Sequence, residues 1–430
     1  MVCFIRLEQD GSKAYRISTM TESAKQNGQQ HLFGKPPESL PAWLPAPPER
    51  KSASGLRLDQ IDLGNHLQRN RFLKMVPPLY AGDENFINPL WLERMMFLNP
   101  KRNASLANLE IHALLAYRGT ACVGRVTAHI DHAYNRYHQS KTGWFGFFES
   151  ENDASTAHAL FDEGIRWLKE RGMSEVFGPN NFTTNHQFGL LIENFSRPAC
   201  VEMTYNPPYY QELITSYGFA KAKDLHAYWI DVTGGLDNPL FQRFDRVSQK
   251  VKDRYKLKVR HVDLRRFDEE VAVIFRIYND SWEKNWGFVP VSEREFASIA
   301  SDFKHLVIDR LVLIVEQEGK PVGFSLTVPD LNEVLPRDGK LLPLGWLKLL
   351  RGMKKTKNAR LITLGVLPAY RKRGVEAILC LETALRTKRL GMKGGEISWT
   401  LEDNHLINSA AEAMGGKLDR KYRVFGMTIN

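Results

Sequence analysis

Apolar and polar positions change period several times along the second half of the chain, and each change predicts an element. Arg310 to Gln317 (RLVLIVEQ) and Pro321 to Val328 (PVGFSLTV) are short apolar runs on either side of Glu318-Gly319-Lys320, which predicts a hairpin. Arg360 to Leu367 predicts the next strand. Between Ala377 and Leu390, the spacing of Ile378, Leu379, Leu381, Ala384 and Leu385 predicts a helix with one apolar face, ended by Gly391. Gly395 to Glu402 (GEISWTLE) alternates, so Glu396, Ser398, Thr400 and Glu402 share one face and Ile397, Trp399 and Leu401 the other. A helix from about His405 to Met414 and a last strand around Tyr422 to Ile429 complete a mixed α/β unit.

The same unit is legible once before. LLAYRGTACVGRVTAHID (Leu114 to Asp131) aligns without a gap on LIVEQEGKPVGFSLTVPD (Leu313 to Asp330), bringing Val123-Gly124 onto Val322-Gly323 and Asp131 onto Asp330. LKERGM (Leu168 to Met173) parallels TKRLGM (Thr387 to Met392), and Tyr217-Gly218-Phe219 parallels Met414-Gly415-Gly416. The division expected is a Pro-rich tail over 1–54, an N-terminal domain over 55–233 and a C-terminal domain over 234–430. Within the tail, KPPESLPAWLPAPPERK holds six prolines, which argues for an extended linker that Trp43 and Leu44 could pin to a groove.

Only the second copy carries a phosphate turn. In LITLGVLPAYRKRGVEAILC (Leu361 to Cys380) a strand runs through Pro368 into a basic turn that opens a helix. Free backbone N–H groups, the positive end of the helix dipole and Arg371, Lys372 and Arg373 converge there, and Gly374 permits close backbone approach. The first copy reads GFFESENDAST at this place, acidic and without a glycine turn. The turn resembles the pyrophosphate loop of the GNAT superfamily of acyl-CoA-dependent N-acyltransferases, which reads Arg or Gln, two residues, Gly, one residue, then Gly or Ala. Arg371 and Gly374 fill the first and fourth places, and Glu376 departs from the sixth.

This resemblance implies an α/β fold of two tandem GNAT-like domains, each a mixed central sheet flanked by helices, with the CoA loop in the second only. It implies acyl-CoA as donor substrate, with no metal, held by Leu364, Val366, Arg371, Lys372, Arg373, Gly374, Val375 and Asn404. Direct attack of an amine on the thioester needs a base. Glu396 and Glu402, on the polar face of the strand, are candidates, and His405 at the strand's end is another or a cap for the next helix. In many family members a tyrosine of that helix protonates the leaving thiolate; the matching place here is Ala411, with Tyr422 as a substitute.

Two segments suit an acceptor. GPNNFTTNHQFG (Gly178 to Gly189) concentrates Asn180, Asn181, Asn185 and His186, whose amides and ring require hydrogen-bond partners if buried. NDSWEKNWGFVPVSEREF (Asn279 to Phe296) sets Trp282 and Trp286 around Asn285, an apolar wall with a polar spot.

Charge adds one feature. The net charge is +10, and the stretch between Gly339 and Val375 holds ten Lys or Arg and no Asp or Glu. Inside it, Leu341 to Lys355 (LLPLGWLKLLRGMKK) sets leucines and Trp346 against Lys348, Arg351 and Lys355, which reads as an interfacial membrane anchor or as an ordinary surface helix. The leucine content and the absence of a helix-turn-helix signature argue against nucleic acid. Four scattered cysteines suggest neither zinc nor a disulfide framework, and no apolar run approaches 18 residues, so a cytoplasmic location is expected, at most at the inner face of the membrane.

WEKNWGFVP, LLPLGWLKLL, LPAYRKRGVEA and LEDNH in this order resemble the tandem GNAT group that includes bacterial ceramide synthases, over roughly Leu56 to Asn430. That implies transfer of a fatty acyl chain from CoA to the amine of a sphingoid-like base. Acetylation of a small polyamine, amino sugar or peptide, and an inert acyl-CoA sensor, are the alternatives the residues leave open.

Overall fold

The computed structural model describes residues 55–283, 285–304, 306–340, 345–353 and 355–429. The predicted tail over 1–54 lies outside them, as do Leu341 to Leu344 and Lys354 of the basic segment.

The N-terminal half runs β1 (Leu56–Ile61), α1 (His66–Lys74), α2 (Val76–Leu79), α3 (Trp91–Phe97), β2 (Leu109–Arg118), β3 (Ala121–Asp131), α4 (His132–His138), β4 (Thr142–Ser150), α5 (Ala154–Glu170), β5 (Glu175–Gly178), β6 (Leu190–Glu193), α6 (Tyr210–Tyr217) and β7 (Ala220–Asp231). The C-terminal half runs α7 (Pro239–Tyr255), β8 (Leu257–His261), α8 (Phe267–Trp282), α9 (Glu293–Phe303), β9 (Val312–Gln317), β10 (Lys320–Pro329), α10 (Gly345–Met353), β11 (Asn358–Val366), α11 (Val375–Arg389), β12 (Gly394–Leu401), α12 (His405–Ala413) and β13 (Lys417–Thr428). Local chemistry sets several starts: Asp131, Asp153, Asn238 and Ser292 each accept backbone N–H bonds as N-caps.

The internal repeat extends to register. Leu114 faces Val126 across β2 and β3, and Leu313 faces Ser325 across β9 and β10, the aligned positions of the two copies. Each hairpin slips by one residue at its aligned valine, Val123 in the first and Val322 in the second.

All strands join one mixed sheet in the order β1-β2-β3-β4-β5-β13-β7-β12-β11-β10-β9-β8, with β6 pairing β13 off this path. The two halves have exchanged their last strands. β13 lies against β5 of the first half, and β7 lies against β12 of the second, while β7 and β13 pair antiparallel along the junction. The exchange explains the main boundary difference from the sequence expectation. β13 starts at Lys417 rather than near Tyr422, because Lys417 to Lys421 is polar except for the exposed Leu418 and is ordered by pairing with β7 instead of by an apolar face.

The core follows the same division. Helices α5 and α6 cover one end of the sheet through Leu160, Phe161, Leu213 and Ile214, and α11 covers the other through Val375, Ile378, Leu379 and Leu381. Between them Trp144, Phe177, Phe188, Leu225, Tyr422 and Val424 form a cluster that belongs to neither half alone. In α10, Leu349 is buried with Leu90, Val201 and Leu306, so this face of the basic helix packs on the protein, and Arg351 is exposed. Among the described residues no helix is long and apolar enough to cross a membrane.

Candidate active site

The site is made by two parallel strands that part. β11 and β12 pair from Asn358↔Gly394 to Leu361↔Ile397 and then diverge. Beyond that point their facing N–H and C=O groups have no strand partner, and a cleft of about 440 Å³ opens between them. Leu364, Gly365 and Val366 form one wall. Ser398, Trp399 and Thr400 form the other, because the register of β12 against β7 slips between Ile397 and Thr400 and sends consecutive side chains to the cleft. Trp282, Asn285 and Trp286 overhang it, with Asn404 and Leu406 at the far end, and Lys223 reaches it from the exchanged strand β7.

The phosphate turn closes the cleft's base. Lys372 and Gly374 have φ of 60° and 83°, and the α11 N-terminus starts at Gly374 without a side-chain cap. The N-cap residue thus claims none of its first N–H groups, although the Glu376 carboxylate accepts its own N–H. Arg371 is tied down: its Nε donates to the Val366 carbonyl at 3.3 Å, and its guanidinium also donates to the Ser281 carbonyl. It thus joins the end of α8 to the end of β11 beneath the cleft, while Arg373 lies over the rings of Tyr255 and Tyr370. Lys372 is exposed, and the Val375 side chain is buried in the core, leaving its backbone N–H as its contribution.

Glu376 also lines the cleft. Burial raises its pKa above the ordinary 4.5, and the Arg371 guanidinium opposes the rise. A carboxyl with a raised folded-state pKa costs stability at pH values above that pKa, and the cost fades as pH falls through it. Glu376→Gln is therefore expected to raise Tm at pH 7 to 8, by an amount that vanishes below about pH 4.5. Removing this charge from a helix start should also tighten CoA by ~2–5-fold in calorimetric titration. Unchanged affinity would place the diphosphate away from Glu376.

The structure brings Leu364, Val366, Arg371, Asn404, Trp282, Asn285 and Trp286 together in the cleft. The four acid–base candidates stand outside its lining. Glu396 is buried, accepting from Ser398 Oγ at 2.6 Å and Arg197 Nη2 at 3.2 Å. Glu402 pairs with Lys221 Nζ at 2.6 Å and accepts from the Asp224 N–H at 3.0 Å. His405 is exposed at the start of α12. Tyr422 is fully buried in the junction cluster, and burial raises its pKa. Ala411, at the family's tyrosine place, is core.

The polar loop after β5 is largely satisfied from within. Asn181 Oδ1 accepts from the Phe147 N–H at 2.7 Å, Asn185 Oδ1 accepts from Tyr278 at 2.7 Å, and His186 Nδ1 lies 3.0 Å from Thr183 Oγ1. Burial lowers the His186 pKa to about 4, so the ring is neutral near pH 7. Asn180 is buried with its N–H donated to the Phe145 carbonyl. Sequence reasoning missed Ser281, Lys223 and Trp399 as cleft residues. The last followed from strict alternation, which the slip in β12 breaks.

A second, larger cavity of about 1420 Å³ lies beside the cleft, between the halves. Phe147, Phe148, Val201, Met203, Val328 and Leu331 are among its lining residues. One buried layer separates the two spaces. Arg360 donates Nη1 to the Val201 carbonyl at 2.6 Å on the cavity side and Nε to Ser398 Oγ at 2.9 Å on the cleft side.

No protein-family model matches the chain. It is 35% identical to bacterial ceramide synthase of Caulobacter vibrioides over 376 residues, 86% of this chain and 97% of that protein. It is 34% identical to protein YghO of Escherichia coli over 366 residues, 83% of this chain and 92% of that protein. A solved tandem GNAT protein from the clavulanic acid biosynthesis pathway shares the fold, with a TM-score of 0.52 at 11% identity over 87% of this chain and 98% of that one. With a parted-strand cleft over an uncapped helix start in the second of two repeated halves, and with relatives matched along nearly their whole length, the chain belongs to the bacterial ceramide synthase family of GNAT-fold N-acyltransferases.

Proposed function

We propose that the protein transfers a long-chain acyl group from acyl-CoA to the amine of a sphingoid-like base, the reaction named for its Caulobacter relative. The observation that carries this reading is the large, mainly apolar cavity set one side-chain layer from the cleft. A small polyamine or amino sugar has no use for such a space, whereas a long-chain amine gains about 0.8 kcal/mol for each CH₂ buried.

In this reading the α11 N-terminus and Lys372 hold the diphosphate, and the unpaired edges of β11 and β12 bind the amides of the pantetheine arm. The amine nitrogen attacks the thioester carbonyl carbon, a C–N bond forms, the C–S bond breaks, and the departing thiolate takes the second proton that the nitrogen sheds as the amide forms, so CoA leaves as the thiol. Ser398 lines the cleft and donates to Glu396, so the ammonium proton passes by Ser398 Oγ to that carboxylate. The domain division at 233/234 is part of the same proposal, as is contact of the exposed Arg351 and Lys355 with an anionic membrane surface at the cytoplasmic face.

The test offers purified protein acetyl-CoA and palmitoyl-CoA, each with a long-chain base and with a polyamine, and reads free thiol and product mass. Amide from palmitoyl-CoA and the long-chain base is the expected product. Turnover with acetyl-CoA and polyamine alone would remove the lipid reading.

A further inference from the structure

The N-terminal half carries its own copy of the cleft. β4 and β5 pair in parallel from Thr142↔Glu175 to Trp144↔Phe177, where the ladder ends as that of β11 and β12 does, although here the Asn180 N–H still donates to the Phe145 carbonyl and Asn181 Oδ1 accepts from the Phe147 N–H. Counted from the first pair of each, Phe148, Glu149, Pro179 and Asn181 take the places of Leu364, Gly365, Ser398 and Thr400. The first set lines the large cavity and the second lines the cleft. The large cavity is thus the counterpart of the cofactor cleft, extended toward the C-terminal half.

This copy rejects a diphosphate. Asp153 caps α5, accepting from the Ser155 N–H at 2.8 Å and pairing with Arg118 at 2.7 Å, where α11 leaves its start uncapped. Glu149 places a buried carboxylate where the working cleft has glycine. Its charge is already committed: Tyr80 and Tyr210 donate to it at 2.8 and 2.7 Å, and Arg125 lies 3.5 Å away. Charged groups such as Arg94 and Glu202 stand at parts of the wall, and Leu73, Val76, Phe86 and Phe147 give it apolar stretches between them. The volume exceeds the ~300–1,000 Å³ usual for compact small-molecule sites.

We propose that this vacated cofactor groove holds a long unbranched alkyl chain whose polar end points past Val201 and Arg360 to the working cleft. The proposal deepens, and rests on, the acyltransferase reading above. The chain belongs to the acceptor base or to the donor's acyl group, and the chemistry recognised is the same.

Leu73→Trp and Ile87→Trp fill the groove from two separate segments, both half-buried and both remote from the phosphate turn. Three quantities would be measured on the full chain: Tm, CoA affinity, and binding of cis-parinaric acid, a fluorescent unbranched acid that is not an acyl acceptor. Rates would then be taken for bases and acyl-CoAs of 10 to 18 carbons. Each CH₂ seated in the groove is worth about fourfold in affinity. Folded variants with unchanged CoA affinity should therefore bind parinarate at least tenfold more weakly and lose at least tenfold of the preference for 18 carbons over 10. A shift in the base series assigns the groove to the acceptor, and a shift in the acyl-CoA series assigns it to the donor. Parinarate loss in a protein that acylates no base would uphold the groove and remove the function. Acylation with parinarate binding and both length series unchanged in the variants would overturn the groove and leave the function standing. The two segments are independent, so either variant alone decides the matter if the other fails to fold.

Discussion

Cutting the chain between Thr233 and Gly234 is expected to give two fragments that aggregate apart and form one stable particle together. The cut falls after β7 and before α7, so no element is broken. Residues 55–233 would carry β7 without its partners β12 and β13, and would leave β5 open where β13 belongs. The other fragment would leave β12 open in the same way. In β13 alone Tyr422, Val424, Phe425 and Met427 are fully buried. At roughly 1.5–3 kcal/mol for each such side chain, their exposure rivals the about 5–15 kcal/mol that holds an ordinary domain. Open edges also invite aggregation. Mixing unfolded fragments and refolding should restore a 1:1 complex by size-exclusion chromatography, with far-UV circular dichroism like that of the intact chain. A soluble, cooperatively melting 55–233 fragment would refute mutual completion by strand exchange.

Arg360→Met is expected to destabilise the protein by about 3–5 kcal/mol, because three buried acceptors lose their donor, and to abolish acyl transfer. Arg360 is 3% exposed and holds three elements at once: β12 through Ser398 Oγ and the Ser398 carbonyl, the segment after β6 through the Val201 carbonyl, and its own strand β11. Losing it leaves the Val201 carbonyl, the Ser398 carbonyl and Ser398 Oγ without that donor, and the same hydroxyl donates to Glu396, which keeps its pair with Arg197. Arg360 and Glu396 thus meet on one hydroxyl, so changes at the two are not independent. Arg360→Met combined with Glu396→Gln should therefore be more stable than the sum of the single changes predicts, by about 0.5–3 kcal/mol in a double-mutant cycle from urea unfolding. Strict additivity would mean that Ser398 Oγ does not couple the two residues. Recovery of stability without recovery of turnover would agree with Glu396 as the proton acceptor behind Ser398.

The C-terminal half of this molecule was the more legible one. The phosphate turn is local chemistry, since Gly374, the basic tripeptide and the helix that follows lie within one short run, and chain spacing alone puts their backbone N–H groups in one place. The overhang was readable for a similar reason: Trp282, Asn285 and Trp286 lie at one helix end and the turn after it. Glu396 and Glu402 show the limit. Alternation places both on a polar face, but the groups that claim them, Arg197 for one and Lys221 for the other, lie nearly two hundred residues away in sequence. No spacing rule connects such pairs.

By itself, then, the sequence determined the mixed α/β repeat, its hairpins, and the half that carries the basic, glycine-containing turn, because each depends on residues close together in the chain. Tertiary structure alone decided the exchange of β7 and β13, the reach of Lys223 into the opposite half's cleft, and the large cavity between the halves. Those features arise where strands distant in sequence compete for the same open edge. The winner is set by hydrogen bonds and buried area summed over the whole sheet, a quantity that no local pattern records.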